Sequence, residues 1–153
     1  MINPPPMLVR ADASTAIGSG HVMRCLALAK AWQSTAGLVC YLMAESIPEL
    51  EERLTRENIQ RQSLAVEPAT VEDAEQTAAF ALKLGAAWIV VDGYCFGPNY
   101  IHSLKAAGLR VLTLDDDARF DSYDADVVLN QNISATTYDN LRSIRDGQVV
   151  GEF

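Results

Sequence analysis

A glycine-rich segment carries the residues best suited to chemistry in this sequence. Positions 17–24 read Ile-Gly-Ser-Gly-His-Val-Met-Arg, so Gly18, Ser19 and Gly20 directly precede His21. Glycines let backbone amides approach a ligand without a Cβ in the way. A helix that starts here adds unpaired N–H donors and a positive partial charge. The segment therefore predicts a loop that binds an oxyanion or a sugar oxygen.

His21 is the candidate general base of this segment. A poorly solvated imidazole near the positive end of a helix disfavours the imidazolium, which leaves a neutral ring able to accept a proton. Asp12, at the end of the preceding strand, is the carboxylate that we expect to orient the ring. Arg24, one helical turn later, either meets an anion or is a solvated helix arginine. The competing interpretation of His21 is a helix-capping residue without chemistry.

Two further patterns contain metal-binding residue types, and a structural explanation is favoured for both. Asp115, Asp116 and Asp117 follow a strand, where a run of like charges is more often a solvated turn than a metal site. His21 and Cys25 have the i, i+4 spacing of metal ligands, but the sequence shows no identifiable further ligands. Cys25 is therefore expected in the core, and neither a metal nor a cofactor is predicted.

The elements that must position these residues follow from alternating short and long apolar blocks, which are typical of parallel strands joined by crossover helices. Strands are predicted at 7–12, 38–43, 60–66, 88–92, 110–115 and 126–130, and helices at 22–32, 48–58, 70–84, 97–107 and, more briefly, 138–144. The result is a three-layer α/β domain with a mostly parallel sheet over residues 7–146, after a flexible lead-in at 1–6. Asp12, Asp92 and Asp115 end three strands, and ligands of such sheets bind beyond the carboxyl ends of the strands.

Composition restricts the classes of partner. The 153 residues carry 12 basic and 20 acidic side chains, a net charge of −8, and 49% of them are hydrophobic. The charge repels polyanions, so neither nucleic acid nor an anionic membrane is an expected partner. No apolar run is long enough to cross a bilayer and no secretory leader is apparent, which predicts a cytoplasmic protein. Cys25, Cys40 and Cys95 are expected to be free thiols, mostly buried.

A family resemblance adds to this interpretation. The pattern Arg-x-Asp-Ala-Ser-x-x-Ile-Gly-x-Gly-His-Val-Met-Arg-Cys-Leu-x-Leu-Ala at 10–29 resembles the opening of the UDP-2,4-diacetamido-2,4,6-trideoxy-β-L-altropyranose hydrolases of pseudaminic acid biosynthesis. The segments at 91–94, 114–116 and 129–132 are similar to the family's aspartate-x-tyrosine, acidic strand end and asparagine pair. The likeness extends from about Leu8 to Asn132.

The resemblance implies a Rossmann-like domain, similar to the N-terminal half of a glycosyltransferase B fold, and hydrolysis of the anomeric bond of a UDP-sugar. It makes His21 the catalytic acid/base acting on water, and it places the glycine loop, Tyr94 and Asn130 on the substrate side. The family's second domain, which supplies most nucleotide contacts, would begin near the end of this chain, and residues 147–153 are expected to be the truncated junction. Activity is therefore expected to be weak or absent unless a separate second-domain chain or a homodimer completes the cleft.

Two other functions remain open at this stage. A non-catalytic domain that binds a ligand or a protein, derived from the same family, is one. A dinucleotide-binding domain is the other, because Glu45 lies at a strand end where an acid that binds ribose belongs. However, Met23 occupies the position of the third glycine in that motif, and Gly18 comes several residues after the strand.

Overall fold

The computed structural model describes residues 4–117, 119–120, 122–131 and 148–151, the last four as backbone only, and it forms one parallel sheet. The strands are β1 (Met7–Ala11), β2 (Val39–Met43), β3 (Gln60–Ser63), β4 (Trp88–Asp92), β5 (Val111–Leu114), β6 (Val127–Asn130) and β7 (Gln148–Gly151). Their order is β3-β2-β1-β4-β5-β6-β7, and every neighbouring pair is parallel. The predicted α/β class with a parallel sheet is confirmed.

Four helices cover the two faces of the sheet. They are α1 (Gly20–Ser34), α2 (Pro48–Arg56), α3 (Val71–Leu84) and α4 (Pro98–Ala106). Residues of α1 and α2 pack with one set of strand side chains, and residues of α3 and α4 pack with the other set. Two apolar cores, one on each face, therefore complete the three layers.

Alternation along β1 and β4 decides which residues face which helices. Val9 and Ala11 of β1, with Val90 of β4, belong to the core under α1, whereas Leu8 and Val91 belong to the core under α3 and α4. Successive side chains of a strand point to opposite faces. A strand-end residue therefore faces the same helices as the residue two positions before it.

The order of the strands reverses beside β1. The chain leaves β1 towards β2 and β3, then returns through α3 to β4 on the other side of β1. In such sheets the crevice at the carboxyl ends of the two strands next to the reversal is the usual ligand site. Ala11 and Asp92 are partners in the β1–β4 register, so the residues that follow them lie together at this edge of the sheet.

Helix α3 shows how local signals set the element bounds. The side chain of Thr70 accepts a hydrogen bond from the amide of Asp73 at 3.2 Å, which satisfies one unpaired donor of the first turn. Gly85 ends the helix in the left-handed conformation, with φ of 69°. Both residues were predicted as the ends of this helix.

The structure adds detail at both ends of the predicted domain. Residues 148–151, expected to lie in a domain junction, form the seventh strand beside β6; the stretch is short and ends in glycine, so its pattern is weak. In the predicted lead-in, the carbonyl of Pro5 accepts from the Trp32 indole and that of Pro6 accepts from the Ala87 amide, while its flexibility stays a prediction. Residues 1–3 and the helix expected at 138–144 lie outside the described residues.

Within the part of the chain that the structure covers, none of the helices combines the length and apolar character needed to span a bilayer. The three cysteines are free, with Cys25 and Cys40 buried and Cys95 exposed, as the sequence predicts.

Candidate functional site

The glycine loop joins β1 to α1 at the edge of the sheet where strand order reverses. The Gly18 amide donates to the carbonyl of Ser14 at 2.8 Å, which closes a tight loop, and Gly18 has a φ of 74° that favours glycine. Helix α1 then starts at Gly20, and Ser19 caps it without a side-chain hydrogen bond. The loop delivers His21 to the first turn of α1, beside the end of β4.

His21 pairs with Asp92, the last residue of β4. The His21 Nδ1 and Asp92 Oδ1 atoms are 2.9 Å apart, and both side chains are buried. Nδ1 also lies 3.2 Å from Nη2 of Arg24, but the contact with Asp92 is the shorter, and because a carboxylate only accepts hydrogen bonds we assign the proton to Nδ1. Nε2 of His21 has no hydrogen-bond partner among the described residues, and it is not one of the fully buried side-chain atoms that lack a partner. The arrangement leaves Nε2 as the nitrogen that can meet a ligand.

The predicted pairing of His21 with Asp12 is wrong, because Asp12 faces the other side of the sheet. Its Oδ1 accepts from the amides of Ala44 and Glu45 at 2.7 and 3.1 Å and lies 2.8 Å from Nη1 of Arg10. Asp12 follows Arg10 at an interval of two and therefore shares its face, under α3 and α4. Asp92 follows Val90 by the same interval and faces α1, where His21 lies.

Arg10 organises a buried polar cluster on the α3 face. Its guanidinium donates to both carboxylate oxygens of Asp73, at 3.0 and 2.7 Å, and lies over the ring of Phe96. The hydroxyl of Tyr100 donates to Asp73 at 2.9 Å. Burial raises the pKa of the Asp73 carboxyl, but the hydrogen bond and charge of Arg10 outweigh it and hold that pKa below its usual value. This cluster supports the end of β1 and does not reach His21.

Arg24 binds two carboxylates of the protein, whereas the sequence leaves open an anion and a solvated helix arginine. Its Nε and Nη2 atoms donate to the two oxygens of Asp92, and Nη1 donates to Oδ2 of Asp116 at 2.7 Å. The hydrogen bond to Asp92 is the largest reason why the pKa of Arg24 is raised, although burial opposes it. Arg24 therefore holds the carboxylate that orients His21, and its charge is balanced within the protein.

Tyr94 covers His21 from the loop between β4 and α4. The two rings meet edge to face, with centroids 4.5 Å apart, and Tyr94 remains 54% exposed. Arg119, from the loop after β5, stacks on the Tyr94 ring with its guanidinium carbon 3.6 Å from the centroid. The sequence predicted Tyr94 by family resemblance. It gave no signal for Arg119, which lies outside the periodic elements.

Asn130 and Cys25 lie next to the aspartates of this site. The Asn130 amide group is 3.5 Å from the Asp116 carbonyl and is buried, so its described contact supports the Asp116 loop. Cys25 is fully buried, as expected, with Sγ 3.6 Å from Oδ2 of Asp92. Burial is the main reason why the pKa of this thiol is well above its usual value. The core interpretation of Cys25 is therefore confirmed.

The chemistry of the site follows from these charges. Asp92 and Asp116 pair with Arg24, Asp115 binds the loop that carries Arg119, and Arg119 lies on the Tyr94 ring, so the site holds two guanidinium groups as well as carboxylates. Within the described ranges, no group of three or more histidine, cysteine, aspartate or glutamate side chains is arranged to hold a metal ion. What the geometry provides is an oriented imidazole with one open nitrogen, which suits proton transfer to or from a bound molecule.

Comparison with known proteins identifies the class of fold. No protein-family model and no curated protein matches the chain. Among solved structures, MurG from Acinetobacter baumannii is similar with a TM-score of 0.62 and 17% identity, over 84% of this chain and 41% of that one. A glycosyltransferase from Rickettsia africae ESF-5 is similar with a TM-score of 0.70 and 14% identity, over 98% of this chain and 43% of that one.

The likeness establishes that the chain has the Rossmann-like α/β fold of glycosyltransferase B-type proteins. It spans about two fifths of the length of each of these structures. At these identities the comparison concerns the fold, and the chemistry must be argued from the site itself.

Proposed function

We propose that this chain is the sugar-binding half of a sugar-nucleotide hydrolase, in which His21 acts as the acid/base. The observation that carries the proposal is the pairing of His21 with Asp92, because it fixes the ring and leaves Nε2 open at the edge of the sheet where ligands bind. The resemblance of residues 10–29 to the UDP-diacetamido-trideoxy-altropyranose hydrolases supports the substrate class. The shared glycosyltransferase-type fold is compatible with it.

The proposed reaction is attack of water on the anomeric carbon. Nε2 of His21 accepts a proton from the water as its oxygen bonds to C1. The C1–O bond to the diphosphate breaks, and its electron pair leaves with UDP. Asp92 keeps the proton on Nδ1 and stabilises the imidazolium that forms. General base catalysis of this kind contributes about 10² to 10⁴ in rate.

The charges of the site suggest which part of the substrate it receives. Arg24 is used by Asp92 and Asp116, so it is not available to balance a diphosphate. A neutral sugar needs no further cation here, whereas a diphosphate would have to compete with Asp92 and Asp116 for Arg24. The proposal therefore places the sugar at His21, Tyr94 and the glycine loop. It assigns the nucleotide to a second domain that completes the cleft.

The test is release of UDP from the UDP-linked diacetamido sugar. The purified chain is assayed alone and with a separately produced second-domain chain, beside the variants His21→Ala and His102→Ala. His102 is the matched control because it also pairs with an aspartate, Asp124, but is exposed and lies on α4. We expect release that His21→Ala lowers at least 100-fold, in line with the contribution of a general base, and that His102→Ala leaves unchanged.

The same assay addresses the alternative function. If no UDP is released under either condition, or if both histidine variants behave alike, the hydrolase proposal fails. Binding of the UDP-sugar without turnover would then favour the non-catalytic binding domain. Sedimentation of the chain at tens of micromolar tests whether a second copy can complete the cleft, because that version predicts a dimer.

A further inference from the structure

Three side chains from three separate elements form a stack at the site. The imidazole of His21 is on α1, the phenol ring of Tyr94 follows β4, and the guanidinium of Arg119 follows β5. The ring centroids of His21 and Tyr94 are 4.5 Å apart, and the two rings are perpendicular. The guanidinium carbon of Arg119 lies 3.6 Å from the centroid of the Tyr94 ring. Tyr94 is thus held between a buried ring and a cation.

Tyr94 needs an external partner to stay in this position. It is more than half exposed, it follows Gly93 in a short turn, and its ring contacts His21 by an edge-to-face approach. An exposed side chain with a single ring contact has other staggered rotamers open to it and gains entropy by visiting them. Arg119 opposes this freedom twice, by stacking on the ring and by donating from Nη1 to the Tyr94 carbonyl at 3.2 Å.

The position of Arg119 is fixed by Asp115, at the end of β5. Asp115 is buried, and its Oδ2 accepts from the Arg119 amide at 3.0 Å and from the Tyr123 hydroxyl at 2.6 Å. Its Oδ1 accepts from the Asp117 amide at 3.1 Å. The acidic strand end therefore acts as an anchor for the loop that carries the arginine.

We propose that Arg119 is a positioning residue, which clamps the Tyr94 ring over one side of His21 so that the open nitrogen meets the substrate from a single direction. The role of the clamp in turnover rests on the proposed function. The contacts of Tyr94 with Arg119 and His21 do not depend on that function, and NMR detects them without any substrate.

The test is the chemical shift of the His21 ring protons, which a neighbouring aromatic ring displaces. The chain contains two histidines, and His102 serves as the internal reference. Spectra are recorded over the same series of pH values for the wild type and for Tyr94→Leu, which gives the position of the His21 signals without the ring. Arg119→Met keeps most of the side-chain stem and removes the planar cation.

Arg110→Met is the matched control. Arg110 makes the same kind of contact elsewhere, with its guanidinium carbon 4.4 Å from the Trp88 ring. In Arg119→Met we expect the His21 signals to move at least half of the way from their wild-type positions to their positions in Tyr94→Leu. In Arg110→Met we expect them to stay at the wild-type positions. The signals of His102 should stay constant in all four proteins, which confirms that they are folded alike.

A smaller movement in Arg119→Met, or an equal movement in Arg110→Met, overturns the proposal. Such a result would leave the hydrolase function untouched, because His21 and Asp92 would still be in place. Conversely, a failure to release UDP would leave the clamp intact, since the ring-proton shifts do not depend on turnover.

Discussion

His21 and Asp92 are 71 positions apart in the sequence, and their side chains lie 2.9 Å apart at the point where the sheet reverses its strand order. Arg24, one turn after His21, donates to the same carboxylate through two nitrogens. Asp92 therefore accepts from three N–H groups at once, in addition to the more distant thiol of Cys25 at 3.6 Å. This shared carboxylate is the feature on which the orientation of the imidazole depends.

The first prediction concerns the state of the His21 ring. In Asp92→Asn the charge is lost, and one amide oxygen must replace two carboxylate oxygens that three N–H groups share. We expect the fraction of His21 with a proton on Nδ1 to fall, as read from the ¹⁵N shifts of the ring nitrogens. Asp12→Asn is the control, because Asp12 faces Arg10, and it should leave the His21 shifts in place. Equal changes in the two variants would contradict the assignment of Asp92 as the orienting group.

The glycine loop gives a second prediction. Gly18 has a φ of 74°, so Gly18→Ala forces a side chain into the left-handed region and should cost about 1–2 kcal/mol of unfolding free energy. Gly20 begins α1, and a Cβ there has no heavy atom within 4 Å, so Gly20→Ala should be neutral or stabilising by up to about 1 kcal/mol. Urea unfolding measures both. Similar losses in the two variants would show that backbone conformation is not what selects glycine at position 18.

Breaking the buried cluster of Arg10 should be far more costly than breaking an exposed pair. Asp73→Asn removes the charge that two guanidinium nitrogens contact in the interior, and loss of one partner of a buried pair costs about 3–5 kcal/mol. Asp124→Asn breaks the exposed contact with His102 and should change the unfolding free energy little. The urea concentration at the midpoint of unfolding is measured for both variants. Comparable decreases of the midpoint in the two variants would contradict a structural role for the cluster.

Acid should destabilise the protein through the same group. The folded pKa of Asp73 is lowered by Arg10 in spite of its burial, so the unfolded chain takes up a proton first as the pH falls. The stability contributed by this carboxylate is complete above its unfolded pKa of about 3.9 and is lost as the pH falls through the lower folded value. The unfolding free energy should therefore fall below about pH 4 with a smaller slope in Asp73→Asn than in the wild type. An unchanged slope would contradict the assigned direction of the shift.

Much of the fold could be predicted because its signals are local. Short apolar runs separated by helical patterns predict the first six strands and the four described helices, and the Thr70 and Gly85 signals define the ends of α3. The seventh strand has few apolar residues, so its sequence does not show the short apolar run that predicts the other strands. The predicted helix at 138–144 lies outside the described residues and remains a prediction.

The site was only partly predictable, because its partners depend on the order and facing of strands. His21, the glycine loop and Tyr94 meet at one edge, but three strand ends offered a carboxylate and Asp12 is the nearest along the chain. Alternation places Asp12 with Arg10 on the α3 face and Asp92 with Val90 on the α1 face. Arg119 has no periodic pattern around it, so only the three-dimensional arrangement reveals its contact with Tyr94.

The most direct test of the proposed sugar site is to map where the sugar binds. Amide and ring signals of the chain are followed by NMR during titration with the UDP-linked diacetamido sugar and, separately, with UDP. We expect the sugar nucleotide to shift the signals of Gly18, Gly20, His21 and Tyr94, and UDP to leave them in place. If UDP shifts them equally, or if the sugar nucleotide leaves them unmoved, the assignment of this edge of the sheet to the sugar is contradicted.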